Sequence, residues 1–564
     1  MRDRLSRALP LLCVLAILIA VWFAGSVAMN WDQAQDLADE DATWSDIAQA
    51  TLALDRPLLP TPDQVASEMI RSMFGYPPTS PRSLVFHAGV TAWAAIVGFG
   101  IALLAGMALA IGIVHVRTLD RALMPWLIAS QAVPVLAIAP MVVVVLGNVG
   151  LTGVLPKALI AGWLSFFPVT TGLVKGLRSS DPMQRDLMRT YSATEAQVFA
   201  KLRWAGGDEF PVPVDESRGP AGAGGGHRGR IADRRAGWPG GAIADGFILR
   251  ADAANLGRFV HGGVPRDAGG GLGGPNAGPG GLHARWPAVT TLLLLGSLLT
   301  GGLVLALLAR DDRPVFRIAT PVVFGMLVLW LWQIVCTGYE VPLVLLPPPS
   351  AIAAAVVDHL PTLAADFRQT VLRAVIPGWA IGSGAGLLAA IALDASPFLR
   401  RGVLPLGSLV SAMPIVGIAP IMVMWFGFDW QSKAAVVVVM TFFPMLVNAA
   451  AGLGVTGAME ADLMRTYAAG YRQTLLKLRL PSALPFVFNA LKLNATLALI
   501  GAIVAEFFGT PIVGMGFRIS TQAARLNLDV VWAEIVMAAL AGSISFALLA
   551  LLERVVTFWH PSYH

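Results

Sequence analysis

DLMRTY is written twice: Asp186, Leu187, Met188, Arg189, Thr190, Tyr191, and again Asp462, Leu463, Met464, Arg465, Thr466, Tyr467. The offset, 462 − 186 = 276 residues, also separates Phe166-Phe167-Pro168 from Phe442-Phe443-Pro444. Each DLMRTY follows a long apolar stretch. A large unit has therefore been duplicated within one polypeptide, the pattern that marks internal symmetry in membrane proteins.

Around these two anchors the chain is 56% hydrophobic and 13% charged, with a mean hydropathy of +0.67. That is too apolar for a water-soluble globule of 564 residues and fits a polytopic bilayer protein. Apolar runs predict spans over 9–29, 85–114, 123–146, 158–174, 288–308, 318–337, 371–393, 403–426, 434–453, 483–508 and 530–552. Arg2, Arg4 and Arg7 precede the first run and acidic residues follow it, which predicts a cytoplasmic N-terminus. Arginines before an apolar core also describe a cleavable signal peptide. Against that reading, LLPTP (58–62) after the first run is mirrored by LLPPPS (345–350) after the run at 318–337. The two cysteines, Cys13 and Cys336, both lie inside predicted spans and provide neither a disulfide framework nor a metal site. The formal charge of +5 comes from Lys and Arg gathered in loops between spans, which membrane topology explains without nucleic acid.

Both DLMRTY copies continue the same way: a small residue, then a basic amphipathic stretch ending in Lys-Leu-Arg. The second copy runs DLMRTYAAGYRQTLLKLRLPSALP over 462–485. This arrangement resembles the loop motif of binding-protein-dependent ATP-binding cassette importer permeases, E-A-A, three residues, G, nine residues, then I-x-L-P. Asp462, Leu463 and Met464 stand where E-A-A would, Ala468 where the glycine would, and Leu480-Pro481 is the L-P; Asp186, Leu187, Met188 and Ser192 take the first three places in the other copy. Neither copy has the glycine or the two alanines. The run LKLNATLALIGAIVAEFFG (491–509), with Gly514 and Gly516, is similar to the nitrate, sulfonate and taurine branch, including its thiamine-precursor importers. The resemblance covers the second half and the first as far as Trp204. It implies a translocation subunit whose two loops each dock one copy of a separate cytoplasmic ATPase, with a periplasmic binding protein delivering the solute, in a bacterial inner membrane.

A docking loop transmits force: a short rigid helix with small residues for close approach and polar residues for contact can sit in a partner's groove. The alternative is that Arg189 and Arg465 merely anchor the loops at the headgroups. The sequence carries no G-x-x-x-x-G-K-[ST] phosphate loop, so the reading expects ATP to be bound by the partner and no cofactor by this chain. No catalytic constellation emerges. Candidates for the pathway are Glu506, a carboxylate within a predicted span, and Pro134, Pro140, Pro414 and Pro420, which interrupt matching spans in AVPVLAIAP and AMPIVGIAP. Glu506 also admits a plainer reading, as a residue near a membrane face that reaches water.

Residues 205–287 break the pattern, with stretches such as GPAGAGGGHRGRIADRRAGWPGG where the second copy has two spans. One reading is a flexible linker. The other is a reading-frame shift. Advanced by one base, AGGDEFPVPVDE (205–216) is compatible with P-A-A-M-S-F-L-F-x-S-M-K beside PSALPFVFNALK (481–492), and HRGRI (227–231) with I-V-G-E-L beside IVAEF (503–507), at the unchanged offset of 276.

These observations predict an all-α polytopic membrane protein of two homologous permease-type helical halves, the first lacking its last two helices. The expected organisation is a first half over 1–204, the divergent segment 205–287, an extra span and linker over 288–317, and a second half over 318–564. Counting 288–308 as a full span puts the two DLMRTY loops on opposite sides of the membrane, an inconsistency left to the structure. The competing functional classes are a gradient-driven secondary transporter with repeats and a frameshifted, non-transporting permease.

Overall fold

A computed structural model describes residues 2–38, 42–130, 135–204, 286–411, 415–509 and 512–559. Among them there is no β-strand, and nine helices are long and apolar enough to cross a membrane. Segment 205–285, with both explanations offered for it, lies outside the described residues, as do Pro134 and Pro414.

The first half opens with helix α1 (Arg2–Asp36), followed by the short α2 (Trp44–Ala53) and α3 (Pro62–Phe74). Next come α4 (Leu84–His115), α5 (Arg117–Ser130), α6 (Val135–Asn148) and α7 (Val154–Arg178). Helices α8 (Pro182–Thr190) and α9 (Glu195–Val198) close the described part. After the extra helix α10 (Trp286–Leu308), the second half repeats the order with α11 (Pro314–Gly338), α12 (Pro349–Asp358), α13 (Leu360–Ala395), α14 (Pro397–Ser411) and α15 (Ala419–Phe426). It continues with α16 (Trp430–Leu453), α17 (Ala458–Thr466), α18 (Tyr471–Glu506), α19 (Met515–Ala524) and α20 (Leu528–Val556).

One predicted span is corrected. Run 403–426 is two helices, α14 and α15, the second entered through a 3₁₀ turn at Ile415–Ile418; run 123–146 holds α5 and α6, and 131–134 between them lie outside the described residues. Proline explains the division: Pro420 occupies the first turn of α15, where its missing N–H costs nothing, whereas deeper in a helix it would remove a backbone bond. Two further spans start earlier than hydropathy suggested. Helix α13 begins at Leu360 and α18 at Tyr471, because polar residues interrupt the apolar pattern (Asp366 and Arg368–Thr370 in α13, Arg472–Thr474 in α18) while the helix continues through a π-helical segment into the apolar stretch.

The halves share one packing device. A Cβ on Gly98 would lie 2.3 Å from the Ala158 carbonyl, and one on Gly378 2.8 Å from the Ala434 carbonyl, so glycine lets α4 press on α7 and α13 on α16. The offset is 378 − 98 = 280 for the second helix of each half but 434 − 158 = 276 for the fourth. The four-residue difference is taken up between α6 and α7.

The first helices are exchanged. Helix α1 packs on α14 of the other half, Pro10 and Val14 against Gly402, while α11 packs on α5, with Trp126 Nε1 donating to the Pro321 carbonyl (2.8 Å). After each first helix, a polar side chain holds the returning loop: Asn30 exchanges bonds with the backbone of Leu59 (2.9 and 3.0 Å), and Gln333 accepts from the Ser350 N–H (3.1 Å) and donates to Ser350 Oγ (3.0 Å). Helix α6 completes the union, its Met141 joining a core with Val371, Leu499, Ile519 and Ile535 of the second half.

The inconsistency in sidedness is resolved by contacts at the α10–α11 turn. Arg117 and Arg121, at the start of α5, bind Asp312 in the turn between α10 and α11, and Arg121 donates to the Ala309 carbonyl (2.9 Å). The α10–α11 turn therefore sits at the end where Arg178 meets Asp120 (2.9 Å), from which α8 projects. Leu146, Leu346 and Trp532, from the opposite ends of both halves, line one cavity. Both DLMRTY helices thus leave the bundle at one end, and α10 runs toward that end rather than away from it.

Candidate functional site

The predicted cassette forms two near-identical outcrops. Helices α8 and α17 are nine residues each, with no buried residue in either. Asp186 pairs with Arg189 at 3.3 Å and Asp462 with Arg465 at 3.1 Å; Thr190 caps the Leu187 carbonyl at 2.6 Å and Thr466 that of Leu463 at 2.7 Å. Solvent-exposed pairs at this spacing contribute a few tenths of a kcal/mol, on the order of 0.3. The guanidinium groups are accordingly free to exchange partners. Each helix ends on its tyrosine, and the next residue, Ser192 or Ala468, takes a left-handed conformation at φ 52° and 53°.

Sequence reading missed one feature of these helices. Met183, Leu187 and Tyr191, spaced i, i+4, i+8, are each more than half exposed, and so are Met459, Leu463 and Tyr467 at an offset of 276. Such spacing sets three large side chains on one face of a helix. The methionines lie outside the hexapeptide that drew attention, but their offset was already in the sequence.

Behind the outcrops, the halves are braced differently. In the second, Tyr471 Oη donates to Asp394 (3.1 Å) and Arg479 pairs with the same carboxylate at 2.7 Å, locking the loop to the end of α13. In the first, His115 packs on Phe199 with ring centroids 5.0 Å apart.

Of the pathway candidates, Pro140 lies within α6 and Pro420 in the first turn of α15. Glu506 does not reach water. It ends α18 almost wholly buried, accepting from Thr370 Oγ1 and the Gly516 backbone N–H, both at 2.7 Å. Its neighbours were not foreseen. Arg518 on α19 donates through Nε to Asp366 on α13 (2.8 Å), Asp366 also accepts from the Gly514 N–H (2.6 Å), and Glu534 on α20 is fully buried beside them. The signal for Glu534, one carboxylate inside the predicted span 530–552, was as plain as that for Glu506.

Residues 98–204 and 382–558 match the family described as the binding-protein-dependent transport system inner membrane component. The chain belongs to this family. The first match stops at Trp204, the counterpart of Leu480 at an offset of 276, whereas the second continues through α18 and α20. Relatives correspond to a single half. The formylaminopyrimidine transport permease protein ThiX of Halalkalibacterium halodurans is 30% identical over 244 residues, 43% of this chain and 97% of the relative. A probable ABC transporter permease protein of Haemophilus influenzae is 30% identical over 43% of this chain and 98% of its own length. The taurine transport system permease protein TauC of Escherichia coli is 26% identical over 41% and 86%. The protein is thus an ABC transporter permease of fused two-half form, a multi-pass helical membrane protein. For this permease the glycine of the family motif falls on Ser192 and Ala468, the two left-handed positions, where a residue without Cβ is unstrained.

Proposed function

We propose that this permease is the translocation subunit of an ATP-driven importer in a bacterial inner membrane. Helices α8 and α17 each seat in a groove of one of two copies of a separate ATPase, and a periplasmic binding protein delivers a small polar or anionic solute to the opposite end. The N-terminus lies with α8 and α17 on the cytoplasmic side, in keeping with Arg2, Arg4 and Arg7. The observation that carries this reading is the paired outcrop: two helices with the same exposed stripe and the same Arg, repeated at 276 residues and projecting from one end. Closure of the ATPases would draw the two helices together and rock the halves between inward- and outward-open states. ATP is held by the partner, and this chain needs no cofactor of its own. The relatives' names, which include permeases for formylaminopyrimidine, taurine and bicarbonate, support a small polar solute.

The test is uptake into proteoliposomes holding the permease, its ATPase and binding protein. Uptake should need ATP and survive collapse of the proton and sodium gradients. Uptake driven by a gradient alone would instead establish a secondary transporter.

A second reading concerns the first half, and the family match breaking off at Trp204 favours it. A one-base shift entering near codon 205 and reversed before codon 288 would have replaced the counterparts of α18–α20, leaving the encoded chain a poor transporter. Restoring the frame should then rescue uptake. A confirmed frame with normal uptake by this chain would remove that reading.

A further inference from the structure

Helix α13 is 36 residues long, about 54 Å at 1.5 Å per residue, against a hydrocarbon core of about 30 Å. Its apolar stretch begins at 371, so Arg368 and Arg373 straddle the boundary of that core at the end remote from α8 and α17. Headgroup phosphates lie at this depth. Trp430 at the start of α16, and Trp93 at the position of Arg373 in the first half, mark the same level as an interfacial aromatic belt does. In the importer reading this end faces away from the cytoplasm, the side on which Lys and Arg are scarce, so the pair calls for a reason.

The backbone brings the two guanidinium groups together. In an α-helix residues five apart point about 140° away from each other, but Arg368–Val375 is π-helical, and its i→i+5 hydrogen bonding sets residues five apart nearly in line. Arg368 and Arg373 accordingly line one cavity of about 400 Å³, with Ala365, Gln369, Asp429 and Val513. Both arginines are exposed, and neither forms an ion pair among the described residues. Arg368 makes no hydrogen bond there either, and Arg373 gives one, from Nη1 to Gln369 Oε1 at 3.1 Å. The one carboxylate in the cavity wall, Asp429, accepts instead from Gln369 Nε2 and the Trp430 N–H, both at 2.8 Å and both on the same oxygen. Nearly all the N–H donors of the two guanidinium groups therefore remain unused. What reaches them follows from the flank. Leu372 and Ile376, at i+4 and i+8 from Arg368, and then Ile381 and Leu388 are exposed, the lipid-facing stripe of α13. Arg368 heads that stripe.

We propose that this cavity holds the phosphate of a phospholipid headgroup, gripped by Arg368 and Arg373 through charge-assisted hydrogen bonds, with an acyl chain of the same lipid lying along Leu372 and Ile376. The first half has no such site, because Ala88, Trp93 and Gly153 stand at the positions of Arg368, Arg373 and Asp429, at the offsets of 280 and 276. The bound lipid fixes the depth of α13, which carries the Asp366–Arg518 pair on another face. Only the assignment of the leaflet rests on the importer reading; the binding does not.

The experiment is native mass spectrometry of the full-length permease, delipidated in dodecyl maltoside and titrated with dioleoylphosphatidylglycerol, whose phosphate is its only charge, and in a separate arm with inorganic phosphate. One lipid molecule should bind at least tenfold more tightly than any further one, and phosphate at the same concentration should not displace it. Arg368→Gln and Arg373→Gln, both exposed positions, should each weaken that first lipid at least threefold and together at least tenfold. Arg401→Gln, at an exposed arginine at the start of α14, should leave it unchanged. The proposal is overturned by graded binding with no distinct first lipid, by an unchanged first affinity in the double variant, by an equal loss in Arg401→Gln, or by displacement with phosphate, which would make this a site for a free anion. A permease that binds the lipid in this way but shows no ATP-dependent uptake would sink the importer reading and leave the lipid site standing.

Discussion

Lys157 and Lys433 are the same residue at the same place in the repeat, one exposed and the other buried. The contrast extends through each half's second helix. At the offset of 280, Asp366, Gln369, Thr370 and Arg373 of α13 correspond to Phe86, Gly89, Val90 and Trp93 of α4. Asp366 and Thr370 meet Arg518, the Gly514 N–H and Glu506, while Gln369 donates to Asp429 and Arg373 to Gln369; among the described residues the first half has no counterparts of α19 and α20 for the first two to bind. Half of the most apolar window of α16 is buried, against 22% in α7. Buried polar groups in a membrane persist where each has its partner, and where the partner is missing, apolar residues stand at the same positions. The outcrops α8 and α17 remained alike because what they are proposed to contact lies outside the bundle.

If the halves are equal at their outcrops, Arg189→Glu and Arg465→Glu should each weaken ATPase docking to a similar degree, by about 2–5 kcal/mol, and the double variant should abolish solute-stimulated ATP hydrolysis while still inserting. Unequal single effects would break the equivalence, and normal hydrolysis in the double variant would end the docking assignment. The inequality inside the bundle is probed by Asp366→Leu, which strands Arg518 and the Gly514 N–H and should cost about 3–5 kcal/mol of stability. Phe86→Leu, at the corresponding position, should cost less than about 1 kcal/mol. Thermal unfolding in detergent reads both, and similar losses would mean the two second helices are equally committed to their surroundings.

A smaller effect comes from the left-handed residues after each tyrosine. Ser192→Gly and Ala468→Gly should each stabilise by about 1 kcal/mol, since L-residues are strained there. Equal gains would sharpen the likeness of the outcrops. The smallest concerns the clasp between the halves. Hydrogen bonding from Arg117 holds the exposed Asp312 carboxyl below its usual range. A depressed pKa contributes stability above the ordinary carboxylate range that is lost as pH falls through the lowered value. Acid below the ordinary carboxylate range should therefore loosen the α10–α11 turn, read by faster hydrogen exchange there, and Asp312→Asn should remove the pH dependence.

Much of the fold was legible because the membrane makes hydropathy a strong signal and the duplication supplied a second reading of each element. Apolar length located the nine helices that, among the described residues, are long and apolar enough to cross a membrane, and six repeated residues located the outcrops. The break in 403–426 was not legible, since hydropathy averages across a break that backbone chemistry makes locally. The Asp366–Arg518 pair was hidden by 152 residues of separation and by the largely polar stretch 366–370, which pushed the predicted span to start at 371. Glu534 was visible as a lone charge in an apolar run, but that it lies beside Asp366 depends on how α13 and α20 pack, and no one-dimensional pattern contains that.

The exchange of first helices sets a schedule for biogenesis. The seat of Pro10 and Val14 is Gly402, 402 − 10 = 392 residues downstream, which at about 5–20 residues per second is synthesised roughly 20–80 s later. For that interval α1 waits in lipid without its partner. Its apolar flank suits lipid, and the bonds between Asn30 and Leu59 are local, so the polar groups near its end are satisfied before the seat exists. The first helix to leave the ribosome thus gains its seat only after the whole first half and three helices of the second have followed it.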